Sequence, residues 1–335
     1  MFDFVSIGEM LIDFTPDEAK NSGTPLFRQN PGGAAANVAC VLAKLGLSCA
    51  FSGKVGNDAF GESCKNALQS VGVCTNYLML SADFPTTLAF VCLRSDGNRT
   101  FSFYRNSLTA DVNLQIEELS PALYQTRFFH FGSVSLTEEP LKSTVLHAVK
   151  QAKKHGAIIT YDPNLRLSLW RSANEARKTI IEALPAADIL KLSEEEVVFL
   201  FGNLPEQEIA RTLSKRYSLS MVLITKAEKG CYAYVNGKDY DAPAYHLQTI
   251  DTTGAGDSFL AGILFLLLQM KKSITSLSDE EVEKMLDFAN ALGSLVTTKK
   301  GAIPAIPTLD EIDQCLQTGE KLFSTKFSCP SVFHS

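Results

Sequence analysis

The sequence predicts a three-layer α/β/α fold, in which helices cover both faces of a mostly parallel sheet and a small second sheet lies to one side. Three observations predict it. Short apolar runs rich in β-forming residues recur along the chain, and stretches with helical spacing of apolar residues lie between them. The runs are continuously apolar, as strands buried on both faces are. Such strands alternating with helices favour a parallel sheet between two helical layers.

The core elements follow from these runs in chain order. The first strand stops at Gly8, and Pro185 ends one of the helices. The predicted strands are residues 3–7, 49–52, 128–131, 158–161, 189–192 and 221–225, and the predicted helices between them include residues 35–45, 141–154 and 173–184.

Two segments break this alternation, at about residues 13–31 and 86–107. The second reads as a hairpin of two β-rich runs around Ser95-Asp96-Gly97-Asn98. We expect a small accessory sheet that covers a ligand cleft as a lid. A surface hairpin used only for dimerisation is the alternative. The main domain is expected over residues 1–317, followed by a loose Ser/Thr-rich tail at 318–335.

Composition and charge exclude several classes of protein. The 335 residues are 45% hydrophobic and carry a net charge of −6, so the chain is an ordinary globular protein without a cationic face for nucleic acid. The longest apolar run, residues 259–268, is about half a membrane span, and the start MFDFVSIGEM lacks a basic leader. We expect a cytoplasmic protein with neither a nucleic-acid nor a membrane partner. The eight cysteines form no CxxC pair and are expected to be buried thiols.

The most informative motif is the segment Asp251-Thr252-Thr253-Gly254-Ala255-Gly256-Asp257-Ser258, which opens an apolar helix. Free N–H groups and the helix dipole make such a start an anion site. Asp257 in the first turn could accept a proton from a hydroxyl that attacks a bound phosphate. Alternatively, it only caps the helix.

A second motif is Pro31-Gly32-Gly33-Ala34-Ala35-Ala36-Asn37, which runs into a helix. Glycines let a small polar ligand lie against the backbone, and Asn37 offers both a donor and an acceptor. A glycine-rich turn with an Asn at the helix start is the other interpretation. Neither GxxxxGK[ST] nor a GxGxxG after a predicted strand occurs, which excludes P-loop and dinucleotide-binding folds.

Together the two motifs resemble both signatures of the ribokinase-like, or phosphofructokinase B, family of sugar kinases. The resemblance extends to about Thr308 and includes four further matches: Gly8-Glu9-Met10-Leu11-Ile12-Asp13, Gly53-Lys54-Val55-Gly56-Asn57-Asp58, Tyr161-Asp162-Pro163-Asn164-Leu165-Arg166 and Thr225-Lys226-Ala227-Glu228-Lys229-Gly230. It implies a ribokinase-like fold with a small β-sheet lid, and ATP-dependent phosphorylation of a sugar hydroxyl.

The resemblance also implies residue roles. Asp257 would be the base, and Gly254, Ala255 and Gly256 would form the anion hole for the transferring phosphate. The sugar would be bound by Asp13, Gly32, Gly33 and Asn37.

The choice of sugar depends on further matches. The segments Phe103-Tyr104-Arg105-Asn106 and His130-Phe131-Gly132-Ser133 are similar to those of the fructokinase branch. This similarity adds four residues to the expected substrate contacts: Tyr104, Arg105, Asn164 and Arg166. Fructose leads, with 2-keto-3-deoxygluconate and an aminoimidazole riboside as rivals, since the arginines could meet a carboxylate or phosphate.

The nucleotide and metal sites are expected by the same resemblance. ATP contacts map to Lys191, Ser193, Thr225, Gly230 and Asn290. Glu196 takes the glutamate place of the family's Asn-x-x-Glu motif, which binds Mg²⁺ through water, while Ser193 replaces the asparagine. A monovalent cation, K⁺, is expected at Asp251, Thr253 and the carbonyls from Val296 to Gly301, although Ala305 stands where a serine is common.

Two readings of other classes stay open. The chain could be a catalytically silent regulatory protein, although Asp257 and its glycines are intact. It could also be a nucleotide-binding module without sugar specificity, in which case Asp13 and Asn37 would have no function. Relatives often pair two subunits through the accessory strands, so a homodimer is expected.

Overall fold

A computed structural model describes residues 1–17, 26–93 and 99–320. The strands are β1 (Phe2–Ile7), β2 (Leu11–Asp17), β3 (Leu26–Gly32), β4 (Cys49–Gly56), β5 (Leu78–Ser81), β6 (Leu88–Leu93), β7 (Arg99–Tyr104), β8 (Thr126–Gly132), β9 (Ile158–Asp162), β10 (Ile189–Ser193), β11 (Met221–Thr225), β12 (Cys231–Val235) and β13 (Lys238–Ala242). The helices are α1 (Ala34–Lys44), α2 (Ala59–Ser70), α3 (Leu141–Lys154), α4 (Ala173–Ala183), α5 (Glu194–Phe201), α6 (Glu206–Tyr217), α7 (Ala255–Met270), α8 (Asp279–Val296) and α9 (Leu309–Thr318).

The large sheet has the strand order β13-β12-β11-β10-β9-β8-β1-β4-β5. Its strands run parallel except at one edge, where β12 pairs antiparallel with β11 and β13 pairs antiparallel with β12. Two apolar clusters cover its faces, one formed with α1, α2, α7, α8 and α9, the other with α3, α4, α5 and α6. The three-layer architecture expected from the sequence is therefore confirmed.

A separate four-stranded sheet, which we call the lid, has the order β3-β2-β6-β7. Strands β6 and β7 form the expected antiparallel hairpin, while β2 joins β6 in parallel. The turn residues 95–98 lie outside the described residues. Side chains alternate across this sheet, so Asp13 and Phe103 face the large sheet's end while Phe14 and Phe90 stack on the other face at 4.8 Å.

All six core strands and all three helices expected from the sequence are present. Sequence analysis did not identify β5, β12 and β13 as strands. The expected loose tail begins within α9, and its residues after 320 lie outside the described part of the chain. Among the described residues, none of the helices combines the length and the apolar character that a membrane span requires.

The fold brings the motif residues to one end of the large sheet, where its parallel strands have their carboxyl ends. Strands β9, β10 and β11 run parallel and end at Asp162, Ser193 and Thr225. In open α/β sheets ligands bind outside the carboxyl ends of the strands. The first turn of α7 lies at this end of the sheet as well, beside Lys191 of β10.

Candidate active site

Helix α7 begins at a tight glycine turn. Its N-cap residue, Gly254, has φ 81°, a left-handed conformation that favours glycine, and no side chain caps the helix. Of the amides expected to bind an anion, that of Ala255 donates to the Thr252 carbonyl at 3.2 Å. The amides of Gly254 and Gly256 have no backbone partner within the described residues, and these two are left for an anion.

Asp257 is held by two amide side chains. Its Oδ2 accepts from Asn37 Nδ2 at 2.8 Å, and its Oδ1 accepts from Asn164 Nδ2 at 3.1 Å. Burial raises the pKa of Asp257 to about 6, helped by the Asp162 carboxylate. The bond from Asn37 and the charges of Lys191 and Arg166 act in the opposite direction. Asp257 is thus no helix cap, but an oriented carboxylate of increased basicity.

A cavity of about 440 Å³ opens beside Asp257, between the lid and the large sheet. Asn37 is 7% exposed, and its Oδ1 is buried without a hydrogen-bond partner in the described structure. The Asp13 carboxylate also faces this cavity, and burial raises its pKa to about 6. A Cβ on Gly32 would stand 3.4 Å from Asp13 Oδ2 and 3.9 Å from Asn37 Oδ1, inside this polar space. These atoms need hydroxyl donors, which a polyol supplies.

Gly33 has a different function from Gly32. A Cβ there would stand 2.3 Å from the Glu9 carbonyl oxygen, so glycine permits close contact between the start of α1 and the turn that follows β1. Asn164 and Arg166, which the resemblance assigns to the sugar, also line this cavity.

Two expected sugar contacts lie elsewhere. Tyr104 is 64% exposed and packs edge-on against Phe90, with ring centroids 5.6 Å apart. Arg105 is turned away from the cavity into a buried ion pair with Asp111 at 2.6 Å. Because side chains alternate along β7, Phe103 takes the inward position.

This cavity is also lined by residues that sequence analysis did not assign to the site, among them Glu9, Val91 and Phe103. Glu9 is buried, its Oε2 accepts from Ser135 Oγ at 2.8 Å, and burial raises its pKa. The signal available for Glu9 was a carboxylate at the end of the first core strand. Nothing in the pattern of β6 and β7 says which of their two faces is inward.

A second cavity, of about 760 Å³, adjoins the first. All five residues expected to contact the nucleotide line it: Lys191, Ser193, Thr225, Gly230 and Asn290. The amide nitrogen of Asn290 donates to the carbonyls of Ala242 and Pro243 at 3.0 and 3.2 Å, so only its oxygen remains for a ligand. Apolar side chains, including Leu247 and Phe259, form much of the remaining wall.

The two cavities share Lys191, Thr252 and Gly256. Lys191 Nζ forms a buried ion pair with Asp162 Oδ2 at 2.8 Å. A Cβ on Gly256 would stand 2.7 Å from the same Nζ, which places the ammonium group against the first turn of α7. A cation and free amides therefore meet where the cavities join, an arrangement suited to a transferring phosphate.

The residues expected to hold metal ions occupy two places. Glu196 closes a capping box with Ser193: its Oε2 accepts from Ser193 N at 2.7 Å, and its Oε1 accepts from Leu165 N at 2.7 Å. Asp251 accepts from the amides of Thr253 at 3.1 Å and of Gly301 at 2.9 Å. Val296 is fully buried in α8. Within the described residues, no three His, Cys, Asp or Glu side chains cluster as metal ligands.

Comparison with known proteins shows which family this chain matches. Residues 1–309 match the pfkB family carbohydrate kinases. The chain is 42% identical over 317 residues to "Probable fructokinase-4" of Arabidopsis thaliana, covering 93% of this chain and 96% of that one. The fructokinase of Xylella fastidiosa with bound ATP superposes with a TM-score of 0.85 at 30% identity, covering 93% and 97% of the two chains. The Vibrio cholerae fructokinase with fructose, ADP and calcium ion gives 0.82 at 30% identity, covering 93% and 98%.

Proposed function

This chain belongs to the pfkB family of carbohydrate kinases, ATP-using enzymes that phosphorylate an alcohol group, and from that premise we propose that its reaction is the phosphorylation of fructose to fructose 6-phosphate. The observation that supports this most is the placement of Asp257. Its buried carboxylate lines the smaller cavity at the start of α7, next to Gly256, which lines both cavities, and side-chain amides orient both of its oxygens.

In this proposal the sugar occupies the smaller cavity. Its hydroxyls donate to the Asp13 carboxylate and to the unpartnered Asn37 Oδ1, while Gly32 leaves room for the sugar against the backbone. Asn164 and Arg166, which line the same cavity, contact it as well. We assign Tyr104 and Arg105 no direct contact.

The chemical step uses Asp257 as base. The sugar oxygen forms a bond to the γ-phosphorus as the bond from that phosphorus to the ADP oxygen breaks, and the hydroxyl proton moves to Asp257. In a loose transition state the proton leaves late, so a carboxylate with a pKa near 6 suffices. The amides of Gly254 and Gly256, with Lys191 beside them, stabilise charge on the transferring group.

ATP occupies the larger cavity in this proposal. Apolar side chains there suit a base, and Lys191 reaches its phosphate end from the junction of the two cavities. Thr225 and Gly230 line the same space, and Ser193 lies at its rim as the cap of α5.

We favour fructose over 2-keto-3-deoxygluconate, a sugar acid, because of Arg105. A sugar acid would need a cation for its carboxylate, but Arg105 lies outside the cavity lining and Asp111 neutralises its charge. Among the described residues, the cationic side chains that line the cavity are Arg166 and Lys191. Four carboxylates of the same lining, those of Glu9, Asp13, Asp251 and Asp257, would oppose a further anion.

The residues present fit Mg²⁺ and K⁺. Glu196 faces a cleft that it shares with Asn164 and Lys191, and its oxygens retain lone pairs for metal-bound water. Mg²⁺ carried by ATP neutralises charge on the phosphates. Asp251 ties the loop of Thr253 to that of Gly301, and backbone oxygens of these two loops would hold K⁺. Replacing KCl by choline chloride should lower kcat several-fold, and unchanged kcat would remove K⁺ from the proposal.

We also propose a homodimer and a cytoplasmic location. The outer face of the lid exposes an aromatic row, including Phe27 and Tyr104, that a second copy would cover. The six cysteines whose state is described are free thiols, as in a reducing compartment. Sedimentation at micromolar concentration tests the first proposal and immunolocalisation the second.

A substrate panel tests the proposed reaction. ADP release is measured with Mg·ATP on fructose, 2-keto-3-deoxygluconate, aminoimidazole riboside, ribose and fructose 6-phosphate. The highest kcat/KM on fructose is expected. A higher value on another acceptor would mean that the protein is a carbohydrate kinase with a different substrate. No turnover on any of a wider range of sugars would favour a catalytically silent regulatory protein.

A further inference from the structure

The lid joins the core through a buried ion pair. Thr87 directly precedes β6 and Arg105 directly follows β7, so the two strands of the hairpin enter and leave the core at one place. Arg105 Nε donates to Asp111 Oδ2 at 2.6 Å, with side chains 2% and 0% exposed. Asp111 Oδ1 accepts from the hydroxyls of Thr87 and Thr109. Asp111 therefore holds both ends of the hairpin.

The same arginine holds a turn of the core. Its other two nitrogens donate to Thr137 Oγ1 at 2.6 Å and to the Val134 carbonyl at 3.2 Å. This turn follows β8 and contains the short 3-10 segment Val134–Leu136. The guanidinium group thus joins three separate segments of chain, and each of its nitrogens has an acceptor.

Three parts of the sugar cavity depend on this junction. Phe103 lines the cavity two residues before Arg105, and Val134 lines it from the core side. Ser135, in the clamped turn, donates to the carboxylate of Glu9, which is another wall residue. Arg105 touches none of the cavity space, yet it fixes walls contributed by the lid and by the core.

We propose that Arg105 and Asp111 are positioning residues that set the sugar end of the cavity and with it the affinity for the sugar. The proposal rests on the proposed function only for the identity of the sugar. Lysine cannot replace the planar fork, since an ammonium group lacks donors aimed in three fixed directions. Asparagine in place of Asp111 leaves the guanidinium buried without its counter-charge.

Steady-state kinetics of Arg105→Lys and Asp111→Asn test the proposal. KM for fructose is expected to rise about 10-fold or more, while KM for ATP and kcat at saturating sugar stay within about 3-fold. Arg211→Lys, which alters an exposed ion pair between α6 and Asp239 of β13, should change neither KM. An equal rise in both KM values, or an unchanged KM for fructose, would overturn the proposal.

Hydrogen exchange of the ligand-free protein separates this inference from the identity of the sugar. In both variants the amides of β6 and β7 should exchange at least about 10-fold faster, while those of α8 keep wild-type protection and show that the core is folded. Unchanged exchange in β6 and β7 would contradict the proposal even if fructose is the substrate. Faster exchange would support the junction even if wild-type enzyme prefers another sugar.

Discussion

Asp257 is buried where a charge is unfavourable, and this should cost the folded protein stability. Its pKa rises from 3.8 to about 6, so the folded state binds the proton more tightly than the unfolded state does. Above pH 6 the group is ionised in both states and the cost is complete. Below pH 4 it is protonated in both states and the cost vanishes.

Asp257→Asn is therefore expected to stabilise the protein by about 1–3 kcal/mol above pH 6. The gain should shrink as the pH falls from 6 to 4. Urea unfolding at several pH values measures it, with the exposed Asp310→Asn as a control that stays within about 0.5 kcal/mol of wild type. An Asp257→Asn variant less stable than wild type above pH 6 would contradict the assigned burial cost.

The same pKa predicts the pH dependence of activity. A base must be unprotonated, so kcat should fall below an apparent pKa near 6 and reach a plateau above about pH 7. Since Asp13 has a similarly raised pKa, kcat/KM for the sugar should fall more steeply than kcat. Asn37→Ala removes a bond that lowers the pKa of Asp257, and it should move the midpoint to higher pH. A flat profile from about pH 5 to 8 would exclude Asp257 as the titrating base.

At the scale of elements, α7 has two glycines with separate functions. Gly256, in its first turn, leaves space for the Lys191 ammonium, which a Cβ would approach to 2.7 Å. Gly256→Ala should displace Lys191 and lower kcat/KM for ATP about 10–100-fold, while sugar binding and the unfolding midpoint change little. Calorimetric titration with fructose and kinetics in ATP measure the two effects. Unaltered ATP kinetics would place the phosphate away from this turn.

Gly262, farther along α7, allows the close packing of α8. A Cβ there would stand 2.8 Å from Ala289 Cα, a backbone atom that cannot move alone. Gly262→Ala should destabilise the protein by about 1–3 kcal/mol and leave both KM values within about 3-fold, the opposite of Gly256→Ala. Thermal unfolding and kinetics compare the pair. A stable Gly262→Ala variant would mean that the two helices can separate easily.

The elements also show what sequence can predict. The core strands were predictable because strands buried on both faces are continuously apolar, as residues 221–225 are. The edge strand β13 is mostly exposed and carries Lys238, Asp239 and Asp241, so no apolar run marks it. In β7, alternation predicts two faces, but only the packed structure shows that Phe103 faces inward and Tyr104 outward.

At the scale of the whole molecule, the fold assembles a site from distant motifs. Asn37 and Asp257 are 220 positions apart and bond directly. Sequence analysis placed both in one site because the two motifs together resemble the two signatures of the sugar kinase family. It expected Arg105 at the sugar as well, but a charged residue after a strand can face either a cavity or a buried partner. In the structure Arg105 donates hydrogen bonds to Asp111 and Thr137 instead, and nothing in the sequence around Thr137 indicates that contact.

The lid and the carboxyl ends of the parallel strands enclose the smaller cavity, where we propose the sugar binds, whereas the larger cavity, proposed for the nucleotide, lies along β10, β11 and α8. Their junction at Lys191 and Gly256 is where phosphate would pass from one ligand to the other. We propose that Asp257, next to this junction, is the base of the reaction and contributes little to the binding energy of the sugar.

The most direct test combines turnover and binding in Asp257→Asn. ADP release with saturating fructose and Mg·ATP should fall at least about 1,000-fold, while the dissociation constant for fructose, measured by calorimetry, stays within about 3-fold of wild type. A variant that keeps more than about a tenth of the wild-type rate would show that Asp257 is not the base. One that loses fructose binding in parallel with its rate would show that its carboxylate serves to hold the sugar.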